Sequence, residues 1–142
     1  MPTDFSECAS YALSYATSFA RIHKAKLICL HVIEPIVPAI GYTGIADPLS
    51  LNEVSEQLEE SATRELPKIA NCPECSDIEV EEIITHGDAA AEVVKTAKER
   101  DVDLIVIASH GRTGIERIFF GSTAESVVRH AHCPVLVVKS NE

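Results

Sequence analysis

Residues 104–126 read LIVIASHGRTGIERIFFGSTAES. The opening Leu-Ile-Val-Ile-Ala run is β-branched and apolar on both faces, as a strand buried in a parallel sheet is. It ends at Ala108 and gives way to the small, flexible residues Ser109, Gly111 and Gly114. A second small-residue turn, Gly121, Ser122 and Thr123, then opens a helix. In an open parallel sheet, ligands sit beyond the carboxyl ends of the strands, where the strand order reverses. Glycine turns at such an edge let backbone N–H groups approach a phosphate, and a helix beginning at Ser122 adds its positive dipole end. The hydroxyls of Ser122 and Thr123 are further donors. The plainer alternative is that these glycines only shape tight strand-to-helix turns, and spacing alone leaves both readings open.

Outward from this stretch, helix and strand signals alternate along the chain. Ser6 caps a predicted helix to about residue 23, with Ala9, Leu13, Ala16 and Ala20 on one stripe. Residues 26–33 (KLICLHVI) follow as a strand, and Pro35, Pro38, Gly41 and Gly44 mark a long loop. Residues 50–70 read as a helix with Leu51, Val54, Leu58, Ala62, Leu66 and Ile69 on one side, and Pro67 is expected to kink it or end it early. Residues 77–85 (DIEVEEIIT) are a strand. Asp88 caps a helix through residue 100 with Ala89, Val93, Val94 and Ala97 inward. After the strand at 103–108 and the helix at 121–131, residues 134–139 (PVLVVK) form a last strand. Four helix–strand repeats of this kind predict an α/β fold, a doubly wound parallel sheet with helices on both faces. With 142 residues, the chain fits one domain over 1–142.

Composition narrows the function. Apolar residues make up 46% and charged residues 24%, which excludes a disordered chain. Twelve basic against 22 acidic residues give a net charge of −10, and this speaks against nucleic acid or an anionic membrane as partner. No apolar run approaches the ~18 residues of a membrane span. The first 20 residues carry Asp4 and Glu7 but no Lys or Arg, so no signal peptide is expected. Eleven acids between Asp47 and Glu82 face only Arg64 and Lys68, which reads as a solvated surface. Five cysteines, an odd number, three of them in apolar-periodic segments, suit a reducing cytoplasmic setting.

The stretch from Ala108 to Ser122 resembles the C-terminal signature of the universal stress protein (UspA) family, G-x2-G-x9-G-[ST]. The aligned positions are Ala108, Gly111, Gly121 and Ser122, with nine residues between the two glycines. Pro2 to Ser6 (PTDFS) resembles the end of the family's first strand, and residues 134–138, from Pro134 to Val138, its closing strand. His31 to Ile33, with Gly87 and Asp88, match further landmarks. The resemblance covers essentially the whole chain. It implies the Rossmann-like fold of adenine nucleotide alpha hydrolases and a cytoplasmic, dimeric stress-response protein that binds ATP or AMP, with Mg²⁺ as a companion of ATP. Pro2 and Thr3 would wall the adenosine site, and Asp4 would contact the ribose. Val32 would meet adenine through its backbone, while Ile107 and Ala108 line the ribose and base side. His110, Gly111, Gly121, Ser122 and Thr123 would surround the phosphates. The homodimer would form through the last strand.

Two positions depart from the family. Ala108 stands at the signature's first glycine, and its methyl would crowd the ribose if the backbone there needs φ > 0. The family's PTDFS-like segment ends a central apolar strand, whereas here Met1 directly precedes Pro2. The expectation is that residues 1–4 are a remnant of that strand, and direct pairing of its two flanking strands would refute it.

Other chemistry is thin. Cys72 and Cys75 form a C-x-x-C in a polar loop, but two further zinc ligands at matching spacing are absent, so a structural or incidental role is expected, with a thiol switch as the weaker idea. His31, His86 and His110 are expected just past strand ends, and only His110 lies in the signature. His130 and His132 suit a helix C-terminus. Near the signature only Arg112, Glu116, Arg117 and Glu125 could serve phosphoryl transfer, so no enzyme, no catalytic residue and no metal site is expected. The rivals are a dimeric interaction module that binds no nucleotide and a slow ATPase.

Overall fold

The computed structural model describes residues 1–36, 48–110 and 121–139. The loop glycines 41 and 44, Pro38, and Gly111, Arg112, Gly114, Glu116 and Arg117 lie outside them. The elements run α1 (Glu7–His23), β1 (Leu27–Ile33), α2 (Pro48–Ala70), a 3-10 turn (Pro73–Cys75), β2 (Val80–His86), α3 (Ala89–Glu99), β3 (Ile105–Ala108), α4 (Ser122–His130) and β4 (Val135–Val138).

Among the described residues strand pairing is parallel. β1 pairs with β2, Leu27 opposite Val80 and Ile33 opposite His86, and β3 pairs with β4 from Ile105–Val135 to Ala108–Val138. Residues 1–3 run beside the other edge of β1. Pro2 bridges Leu30 in parallel, Thr3 N–H donates to Leu30 O at 2.8 Å, and Leu30 N–H donates to Met1 O at 3.0 Å. β1 and β3 do not pair with each other. Residues 1–3 therefore stand against β1 as a remnant of the expected first strand would, and among the described residues no pairing joins them to β3.

Two apolar clusters cover the two faces. One joins Ala12, Leu13, Ala16 and Ala20 of α1 to Leu66 of α2, Cys29 of β1 and Val106 of β3. The other joins Ala90, Val93 and Ala97 of α3 and Ala124 and Val127 of α4 to Leu30, Ile105 and Ile107. Successive side chains of a strand alternate faces, so Val106 and its neighbours serve opposite clusters. This is the doubly wound α/β arrangement.

Several sequence expectations need correction. Pro67 does not end α2 early: the helix continues to Ala70, because Leu66 is 1% exposed and holds the last turn in the core. Asn71 closes that turn, its N–H and its Nδ2 both donating to Pro67 O. Val54 and Leu58 are exposed rather than buried. A 23-residue helix is ~35 Å long against ~23 Å for the seven-residue β2, so the first half of α2 overhangs the strand. Finally, β2 begins at Val80, not at residue 77, and Ala90 rather than Ala89 faces inward from α3. Asp77 is held instead by Arg21 of α1, whose Nε donates to Asp77 Oδ2 at 2.7 Å.

Candidate functional site

The chain turns from the first segment into α1 through a hydrogen-bonded corner. Thr3, 7% exposed, accepts from Phe5 N–H on its hydroxyl at 3.1 Å. Asp4, half-buried, accepts from Ser6 N–H on Oδ1 at 3.0 Å, and Ser6 caps α1 by accepting from Ala9 N–H at 3.2 Å. Phe5 carries a positive φ of 64°, a conformation a bulky residue adopts only when its surroundings impose it. The surroundings are visible: its ring lies 4.4 Å from that of His31, tilted by 31°.

The His31 ring also bonds Thr3 O through Nδ1 at 2.8 Å. This has a consequence for Val32. In β1, Leu27 N–H donates to Glu79 O and Ile33 O accepts from Gly87 N–H, so the odd-numbered residues direct their main chain toward β2. The even-numbered Leu30 bonds residues 1–3. By the same alternation Val32 directs its N–H and C=O to the side of residues 1–3. The ladder's next step would join Val32 N–H to Thr3 O, but no such bond forms, and His31 takes that carbonyl. Val32 thus presents its main chain at the end of β1. His31 itself lies within β1 rather than past its end. Its role is to peel the first segment away from the strand, a role that sequence reasoning missed because a ring-to-carbonyl bond leaves no spacing signature.

At the end of β3, Ile107 is buried and Ala108 half-buried. Among the described residues, those with positive φ other than glycine are Phe5, Lys24 and Asp101, so Ala108 is ordinary strand and its methyl carries no backbone strain. Ser109 N–H continues the ladder to Val138 O at 2.8 Å, and Ser109 O accepts from Gly121 N–H at 2.7 Å. That second bond fastens the start of α4 onto the end of β3. Gly121 occupies the N-cap position with φ −66° and ψ 154°, and as glycine it offers the helix no side-chain cap. A Cβ at Gly121 would lie 3.4 Å from Ser109 O and 3.8 Å from His110 Cα, ordinary contacts in an ordinary conformation. Against the described residues, then, neither strain nor crowding demands glycine there. Lacking a side chain, Gly121 itself covers none of the first turn of α4, where Ser122 is exposed and Thr123 half-buried. The buried Ser109 hydroxyl bonds His110 Nδ1 at 3.0 Å.

Val32, Ile107 and Ala124 pack against one apolar cluster, so the ends of β1 and β3 and the first turn of α4 adjoin. Pro2, Thr3 and Asp4 flank β1 on the side that Val32 faces. Gly111 falls outside the described residues. His86 is not brought to the turn: its Nε2 lies 3.8 Å from the Glu59 carboxylate of α2. His130 bonds Ser126 O at the end of α4, as its position suggested. The surface hollow of about 440 Å³ beside Glu56, Glu59 and Glu60 contains none of the candidate residues, and its acids would repel an anion. Among the described residues, no group of three or more His, Cys, Asp or Glu side chains could hold a metal ion, and no helix is long and apolar enough to cross a membrane.

Comparison with known proteins finds relatives over nearly the whole chain. The sequence model of the universal stress protein family matches residues 1–139. Universal stress protein MJ0531 of Methanocaldococcus jannaschii is 34% identical over 139 residues, covering 98% of this chain and 79% of that protein. Universal stress protein MJ0577 of the same organism is 34% identical, covering 97% of this chain and 91% of its own length. The solved structure of MJ0577 superposes with a TM-score of 0.83 at 35% identity, over 99% of this chain and 94% of that one. The universal stress protein from Archaeoglobus fulgidus, solved in complex with dAMP, superposes with a TM-score of 0.62 at 25% identity, over 97% and 94% of the two chains.

Proposed function

The chain belongs to the universal stress protein family, and on that premise we propose that it binds an adenine nucleotide, ATP or AMP, across the ends of β1 and β3. The observation that carries this reading is the main chain of Val32, released from the ladder and facing the side of Thr3 and Asp4. An N–H and a C=O side by side match the acceptor and donor of an adenine edge. Asp4 then meets the ribose, with Pro2 and Thr3 as wall. Ile107 and Ala108 line the base and ribose. The phosphates lie before α4, where the N–H groups of its first turn, the Ser122 and Thr123 hydroxyls and His110 converge. A chain of charge −10 holds such an anion through local N–H donors and the helix dipole rather than through its overall field. Mg²⁺ enters with ATP on the phosphates. The dAMP bound by the A. fulgidus relative supports the adenine part of this reading.

The role is binding without turnover, in a stress-response sensor whose partner reads the nucleotide-bound state. The protein is read as a cytoplasmic homodimer. Pro134 O and Val138 O face β3, so alternation turns the main chains of Val135 and Val137 outward along β4. Such an edge pairs with its twin across a two-fold axis. Native mass spectrometry with and without ATP and Mg²⁺ tests both parts. A dimer carrying one nucleotide per chain is expected. A protein that stays empty at millimolar ATP overturns the binding reading, and steady phosphate release that Ser122→Ala abolishes overturns the absence of turnover.

A further inference from the structure

The turn between α2 and β2 holds a second chemical feature that nucleotide binding does not use. Cys72 caps the 3-10 turn and Cys75 ends it, and their Sγ atoms lie 3.5 Å apart. Cys75 is 3% exposed, while Cys72 is half-buried. Both stand in the wall of a surface hollow of about 320 Å³ that also includes Asn71, Ser76 and Glu82. Reagents dissolved in water therefore reach Cys72 from this side. The turn is held in place from α1: Arg21 Nη2 donates to Glu74 O at 3.0 Å and to Asp77 Oδ1 at 2.9 Å. Two thiols are thus held nearly in contact on an anchored turn.

We propose that Cys72 and Cys75 are a reversible redox site, closing to an intramolecular disulfide when the protein meets a low-molecular-weight disulfide such as oxidised glutathione. Cys72, the more accessible thiol, attacks one glutathione sulfur, the glutathione S–S bond breaks, and one reduced glutathione leaves with the Cys72 proton. Cys75 then attacks Cys72 Sγ, the mixed disulfide breaks, and a second reduced glutathione leaves with the Cys75 proton. Two protein thiols are oxidised by two electrons and one glutathione disulfide is reduced. The site differs from a catalytic dithiol. A catalytic thiol has its pKa lowered by a helix start or a neighbouring cation. Here burial, reinforced by the hydrogen bond with Cys72, pushes Cys75 up to about 12, and Glu74 Oε2 lies 3.7 Å from Cys72 Sγ. Attack by Cys75 is correspondingly slow, which suits a stress-dependent modification more than turnover. Among the described residues no further ligand completes a metal site around the pair.

Trypsin provides the assay, because the peptide of residues 69–95 contains Cys72 and Cys75 and no other cysteine. The folded protein is treated with excess oxidised glutathione, alkylated, digested and weighed. The expected peptide is lighter by two hydrogen atoms and carries no alkyl group, and dithiothreitol before alkylation restores two alkyl groups. Cys75→Ser is expected to stop at a glutathione adduct on Cys72. Three results would overturn the proposal: a native peptide that keeps both alkyl groups while the urea-unfolded chain oxidises, a wild-type adduct on Cys72 that Cys75 never resolves, or a bridge from Cys72 to Cys29.

Discussion

Replacing Gly121 by alanine separates a glycine that shapes a turn from one that admits a ligand. The backbone at Gly121, φ −66° and ψ 154°, suits alanine as well as glycine. The new methyl would meet Ser109 O at 3.4 Å and His110 Cα at 3.8 Å, so neither must move appreciably. Restricting the unfolded chain stabilises by about 0.4–1 kcal/mol. Alanine is a poorer N-cap than glycine, at a cost of about 0.5–1 kcal/mol. The two nearly cancel, and the melting temperature should move by no more than about 2 °C. Binding is another matter. In the proposed binding mode the methyl stands where phosphate oxygens would approach the first N–H groups of α4, and losing one charge-assisted hydrogen bond costs about 1.5–3 kcal/mol. Calorimetric titration with ATP should therefore show Kd rising by roughly 10- to 100-fold. An unchanged Kd would return Gly121 to the role of a simple turn residue. A melting temperature several degrees lower, with binding falling in proportion, would contradict the geometric argument itself.

Further predictions follow from other parts of the molecule. Asp4→Asn keeps the bond from Ser6 N–H but removes the charge that the proposed site offers to the ribose, and should weaken ATP binding by roughly 10-fold in calorimetric titration. Val137→Pro deletes an outward-facing N–H of β4, and on the proposed homodimer light scattering should report dimers for the wild type and monomers for this variant. Leu66→Ala empties a site that is 1% exposed and should cost about 2–5 kcal/mol in urea unfolding. Burial pushes Cys29 up to about 11 from the ordinary 9.0. The folded state therefore keeps a proton that the unfolded state releases above pH ~9, and stability falls as pH rises from there toward 11. By pH ~10 the loss from Cys29 is on the order of 1 kcal/mol, and Cys29→Ala should remove that share of the pH dependence in urea midpoints.

Much of the fold was legible because it rests on periodicity. The α1 stripe Ala9, Leu13, Ala16 and Ala20 is buried as its spacing required, and Ser6 and Asp88 cap the helices they precede. The errors arose where tertiary context outweighed local rules. Pro67 lies one turn from the end of α2, where the burial of Leu66 outweighs a single lost hydrogen bond. Val54 and Leu58 follow the same spacing as Ala62 and Leu66, but periodicity does not reveal that a helix is longer than the sheet beneath it. At the candidate site, the glycine turn and the PTDFS segment were visible as motifs. The diversion of Thr3 O to His31 and the positive φ of Phe5 were not, since both depend on residues 28 and 26 positions apart meeting in space. The separation of Cys72 and Cys75 was likewise open until the turn was seen to place their sulfurs 3.5 Å apart.

Amide chemical shifts of isotopically labelled protein, followed as ATP is added, test the central claim most directly. The account predicts saturable shifts at Thr3, Asp4 and Val32 together with Gly121, Ser122 and Thr123, while the amides of Glu56, Glu59 and Glu60 on α2 stay in place. Shifts confined to α2, or none at millimolar ATP, would contradict it.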